Sequence, residues 1–240
     1  MPEHIVVAYD DELRDLAGRI AEMGGLAERL VEQAVSALTR VDTGLAQRVI
    51  LEDQRMDALQ RAIEEKVISI IARRQPMARD LREVVGALRV SNDLERVGDL
   101  AKNIAKRVIA IEGHYHPKRL AFGVEHLSTL ALEQMKQVID AYTQKDLQAA
   151  EEVRNRDDEV DAIYTSLFRE LLTYMMEDPR NITFCTHLLF CAKNIERIGD
   201  HATNIAETIH YLVTGIQITD DRPKQDDTSL TPIDFAPPTK

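Results

Sequence analysis

Residues 93–105 read DLERVGDLAKNIA, and residues 194–206 read NIERIGDHATNIA, with Glu, Arg, Gly, Asp, Ala, Asn, Ile and Ala at matching places. A long stretch repeated within one chain marks a duplicated supersecondary unit. A weaker pair supports it: DQRMDAL at 53–59 beside DDEVDAI at 157–163. Farther upstream only the apolar pattern matches, Leu26, Val31, Ala34 and Val35 against Leu130, Met135, Val138 and Ile139.

The unit is helical. Glycine (10) and proline (8) are few among 240 residues, and the chain is rich in good helix formers. Pro76, Pro117 and Pro179 stand where helices should open, and Gly113 and Gly215 where they should close. Asp42-Thr43-Gly44 and Lys145-Asp146 supply the remaining breaks. The pattern predicts six long helices near 8–40, 43–74, 77–112, 117–144, 146–177 and 180–214. The expected fold is therefore all-α, two tandem three-helix bundles at 1–113 and 114–215. Residues 216–240, rich in Pro, Asp and Thr, read as a disordered tail.

Within the third helix, Val90, Leu94, Val97, Ala101, Ile104, Val108 and Ile111 form a seam of alternating threes and fours. The sixth repeats it with Cys191, Ile195, Ile198, Ala202, Ile205, Ile209 and Leu212. Glu95 and Asp99 lie opposite the first seam, Glu196 and Asp200 opposite the second. Such an acidic face is ordinarily just solvated. Here Leu81, Val85 and Leu88, and then Ile182 and Leu189, precede the acids on the same side, which suggests a packed stripe. The second helix adds Asp53 and Asp57 beside Met56, Leu59, Ile63, Val67 and Ile70, and the fifth adds Asp157 and Asp161. In a three-helix unit the acid pairs of two helices can face each other.

Carboxylates spaced four apart share a helix face and repel, and four together need a positive partner. Arg96 and Arg197 are adjacent candidates, and bound hard cations, Mg, Mn, Ca or Fe, are others. Asn103 and Asn204 could add amide oxygens. Gly98 and Gly199, inside the helices, imply either close packing or room for a ligand. The histidines His114, His116, His187, His201 and His210 do not repeat between copies and read as structural. There is no phosphate-binding loop and no nucleophile elbow.

The net charge of -11 argues against nucleic acid as a partner. Cys185 and Cys191 read as two buried thiols in a reducing compartment. The acidic start carries no signal peptide and no window is apolar enough for a membrane span, so a cytoplasmic protein is expected.

At SNDLERVGDLAKNIA and AKNIERIGDHATNIA the chain resembles the PhoU family, accessory regulators of the phosphate-specific transport system. The family's E(D)xxxD motifs read here as Asp53 and Asp57, Glu95 and Asp99, Asp157 and Asp161, Glu196 and Asp200. The resemblance implies a cytoplasmic, often dimeric protein without enzymatic activity. It implies a repressor of the phosphate-starvation response, coupling the transporter ATPase PstB to the sensor histidine kinase PhoR, with the membrane met only through such partners. It implies metal bound by the motifs, multinuclear iron clusters included. Two other readings stay open, a metal-dependent phosphohydrolase and a metal-free structural adaptor. Asn92 and Asp93 become Lys193 and Asn194 in the second copy, which makes the first copy the expected better metal site.

Overall fold

Two aspartates start corresponding helices of the two repeats in the same way. Asp42 caps α2 (Thr43–Arg74) by accepting from the Leu45 amide at 2.8 Å, and Asp146 caps α5 (Leu147–Asn155) by accepting from the Ala149 amide at 3.1 Å. Just before each cap one residue turns left-handed, Val41 at φ 53° and Lys145 at φ 54°. These close α1 (Pro2–Arg40) and α4 (Phe122–Gln144) and reverse the chain.

The computed structural model describes residues 2–115 and 117–219, and among them there are helices and no strands. Most of the segment read as a disordered tail, and His116, lie outside the described residues. α3 (Ala78–Ala110) follows Pro76, and α7 (Ile182–Thr214) follows a short 3₁₀ turn at Pro179–Asn181. Gly215, at φ 77°, ends α7 in the left-handed cap that glycine adopts without strain.

Three boundaries differ from the pattern, and one is α4, which opens at Phe122 after a 3₁₀ turn at Lys118–Ala121 and not at residue 117. α1 begins at Pro2 rather than near residue 8 and runs 39 residues, since proline is well suited to a first helical position. The fifth predicted helix is cut in two at Arg156, between α5 and α6 (Asp157–Glu177). There the Arg156 amide turns back to the Val153 carbonyl at 3.2 Å, and the Arg156 carbonyl accepts from Gln134 Nε2 at 2.8 Å. Gln134 is buried on α4; its counterpart in the first repeat is the apolar Leu30, under which α2 runs unbroken.

Both predicted seams are fully inside: every one of their residues is buried. α1, α2 and α3 form unit one, and α4 to α7 form unit two. The units join where α3 lies along α7 and α1 along α4, so one apolar core runs through both. The predicted packed stripe is only partly packed. Leu88 and Leu189 rest on the core, but Leu81 is 39% and Ile182 47% exposed, both in the first turn of their helices. No helix among the described residues is long and apolar enough to cross a membrane.

Candidate functional site

In unit one, the α2 pair Asp53 and Asp57 and the α3 pair Glu95 and Asp99 share one neighbourhood. The α3 seam drives that helix against α2 through Met56, Val97 and their neighbours, and this places the acids along the same seam edge. Gly98 makes the approach possible: a Cβ there would stand 3.0 Å from Met56 Cγ and 3.3 Å from Asp53 Oδ1. Close packing thus accounts for this glycine. Glu95 is held above the ordinary glutamate range, first by burial, then by the charge of Asp99, with Asp57 and Asp53 adding to it and Arg96 opposing.

The cation that answers these acids is Lys102. Its Nζ donates to Asp53 Oδ2 at 2.6 Å and to Asp99 Oδ1 at 2.5 Å, bridging α2 and α3. Burial works against its charge, but its hydrogen bonds to both carboxylates, and their negative charge, outweigh that and hold the ammonium above its usual pKa. The predicted compensator Arg96 is 63% exposed and contacts Asp99 at 3.4 Å and Glu95 at 3.6 Å from outside. Sequence reasoning passed over Lys102, although it follows Asp99 by three residues and so had to share its face.

Unit two assembles the same four acids differently. Asp157, Asp161 and Glu196 are buried and Asp200 is half-buried. Thr203, fully buried, stands where unit one has Lys102, and its hydroxyl donates to Asp157 Oδ1 at 2.9 Å. The break at Arg156 puts Asp157 in the first turn of α6, where the helix dipole favours a carboxylate. Burial first, with Asp200 and Asp161 adding to it, pushes Glu196 up to about 7 against the pull of Lys193. Lys193, 40% exposed, lies 2.9 Å from Glu196 Oε2. Arg197, the predicted compensator here, is exposed.

Gly199 faces Gln134, whose Oε1 would be 3.4 Å from a Cβ added there. That Oε1 is buried and has no hydrogen-bond partner, while the same side chain's nitrogen serves Arg156.

The expected amide oxygens are not supplied. Asn103 is exposed, and Asn204 donates to Asp93 Oδ1 at 3.2 Å. Asp93 also meets His201 Nδ1 at 2.9 Å, so it faces unit two across the α3–α7 contact and does not enrich the unit-one cluster. His187 meets Arg107, His114 the Glu112 carbonyl, and His210 the Ile216 carbonyl. Cys185 and Cys191 are buried free thiols, pushed up by burial to about 11 and about 12.

As the side chains stand, no three Asp, Glu, His or Cys residues among those described converge on a point that would hold an ion. In unit one an ammonium sits between the acids of α2 and α3, so the residues present do not fit a metal there. Unit two gathers carboxylate oxygens, the donor type that hard cations take, from Asp157, Asp161, Glu196 and Asp200.

A duplicated three-helix unit with an acidic cluster in each copy defines a helical repeat protein with twin pseudo-equivalent sites. The family model of the PhoU domain matches residues 20–108 and again 124–209. The phosphate-specific transport system accessory protein PhoU homolog of Rhizobium meliloti is 62% identical over 94% of this chain and 95% of its own length. Its namesake in Caulobacter vibrioides is 52% identical over 94% and 98%. The crystal structure of PhoU from Pseudomonas aeruginosa superimposes with TM-score 0.82 at 40% identity, covering 87% of this chain and all (100%) of its own. The phosphate transport system regulatory protein PhoU from Streptococcus pneumoniae gives 0.80 at 27%, covering 88% and 99%. The chain belongs to the PhoU family, and it is an accessory regulatory protein of phosphate transport.

Proposed function

We propose that this protein represses the phosphate-starvation response, coupling the phosphate ABC transporter to a sensor histidine kinase, as a cytoplasmic homodimer that binds metal through its acidic motifs. The observation that carries the reading is the match of both units to the family, with relatives named as accessory proteins of the phosphate-specific transport system. The two acidic faces add surface suited to cations and to basic partner surfaces. Pull-down of the full chain with a PstB-type ATPase and a PhoR-type kinase, at high and low phosphate, is the direct test. The reading expects capture of both and constitutive phosphate-responsive transcription when the gene is deleted. Capture of neither at any phosphate level, or unchanged transcription, sinks it. Iron and manganese content of protein purified without chelator tests the metal part. In unit one the Lys102 bridge favours a metal-free adaptor face instead.

A further inference from the structure

The chain turns back on itself after α7. Gly215 reverses it, and His210 Nδ1 meets the Ile216 carbonyl at 3.2 Å, so the residues that follow run back along the helix. Gln217 and Ile218 reach the crevice between α3 and α7, where Arg89, Asn92, Asn204 and Tyr211 help to line a cavity of about 420 Å³. Residues 220–240 are outside the described residues, and their sequence starts with two acid pairs, Asp220-Asp221 and Asp226-Asp227.

The crevice is basic on an acidic protein. Residues seven apart stand about two turns along one helix face. On α3 that series is Arg89, Arg96 and Asn103, and on α7 it is Tyr211, Asn204, Arg197 and Phe190. The two series run antiparallel, since Arg89 lies over the Tyr211 ring at 5.3 Å and Arg107 over the Phe190 ring at 3.9 Å. Four arginines, Arg89, Arg96, Arg107 and Arg197, therefore follow the crevice in a chain of net charge -11. Arg89, Arg96 and Arg197 are exposed and Arg107 is half-buried. The carboxylates beside them are engaged, Asp93 with His201 and Asn204, and Glu207 with Arg154 at 3.5 Å.

An extended chain advances about 3.3 Å per residue, and a helix about 1.5 Å. Asp220 and Asp221 follow Ile218 by about 7–10 Å, enough to pass from the cavity toward Arg96 and Arg197. The second acid pair comes six residues and about 20 Å later, while Arg107 stands eleven residues and about 16 Å beyond Arg96.

We propose that the segment 219–227 docks in its own chain's α3–α7 crevice, with Asp220 and Asp221 on Arg96 and Arg197 and with Asp226 and Asp227 on Arg107. Exposed ion pairs are individually weak, but a tethered segment meets its site at high effective concentration. An acidic partner surface then has to compete with the segment for these arginines.

The test uses the full chain with spin labels on Asn103→Cys and Gln225→Cys, Cys185 and Cys191 being buried, and reads the label-to-label distance by double electron–electron resonance. One narrow distance is expected, and salt at about 1 M, where charges are screened within about 3 Å, broadens it. Arg96→Glu with Arg107→Glu also broadens it, and lysine at 220, 221, 226 and 227 in that background restores it. Circular dichroism checks folding, and if the first pair fails to fold, Arg89→Glu with Arg107→Glu takes its place. A broad distribution in the otherwise unchanged chain overturns the proposal. So does a narrow distance that charge reversal leaves unmoved, or one that the charge swap fails to restore. Dilution with excess unlabelled chain leaves the distance intact if the segment docks on its own chain. Loss of the dipolar signal on dilution assigns the segment to a second copy and overturns the proposal as stated.

Discussion

Units one and two solve one electrostatic problem by different means. Each buries an aspartate at the start of its acidic pair, Asp53 at 4% exposure and Asp157 at 3%. A lone buried carboxylate is prohibitive. Unit one answers with a full charge, the Lys102 ammonium. Unit two gives Asp157 the Thr203 hydroxyl and a helix N-terminus, made by breaking the chain at Arg156. A duplicated fold can therefore keep its carboxylates and still diverge in what they accept.

The sharpest way to break this comparison is to remove the two partners in parallel. Lys102→Met leaves Asp53 without its cation and is expected to cost about 3–4 kcal/mol, the lower part of the range for orphaning a buried charge. Thr203→Val removes one hydrogen bond and should cost about 1 kcal/mol. Denaturant unfolding of both variants reads the difference, and equal costs would mean that the two solutions are energetically alike.

The next effect concerns pH in chelated protein. Glu196 has a folded pKa of about 7 against 4.5 for the free group, so the folded state holds its proton more tightly. Its contribution is fully present below about 4.5 and is lost as pH rises through about 7. Wild type should lose on the order of 2 kcal/mol across that window relative to Glu196→Gln. Parallel slopes for the two proteins would show that Glu196 does not carry this pH dependence.

The smallest expected effect is at Arg96. It is 63% exposed, and Arg96→Ala should change stability by less than about 0.5 kcal/mol. A larger loss would return to Arg96 the role assigned here to Lys102.

Much of this was legible before any coordinates. The seam from Val90 to Ile111 and its repeat could be read directly, because burial follows the 3.6 period. The pairing of Asp53 and Asp57 with Glu95 and Asp99 followed from the repeat. The two compensators did not. Lys102 and Thr203 stand in the compared text as a K-to-T difference, but a lysine on an acidic helix face looks solvated until the neighbouring helix is in place. The break at Arg156 has no glycine or proline to announce it; its cause is Gln134, far away in sequence. Leu81 and Ile182 stand in the first turns of α3 and α7, where burial depends on what packs against a helix end, and periodicity does not encode that.

The Asp93–His201 contact has a mechanical consequence. Asp93 lies two residues before Glu95, and His201 directly follows Asp200, so a single 2.9 Å link ties the frame of one acidic pair to the frame of the other. Together with Asn204 it acts as a strut between two long levers, α3 and α7. Any sliding of one lever along the other has to stretch or snap that strut before the apolar seams can shift register.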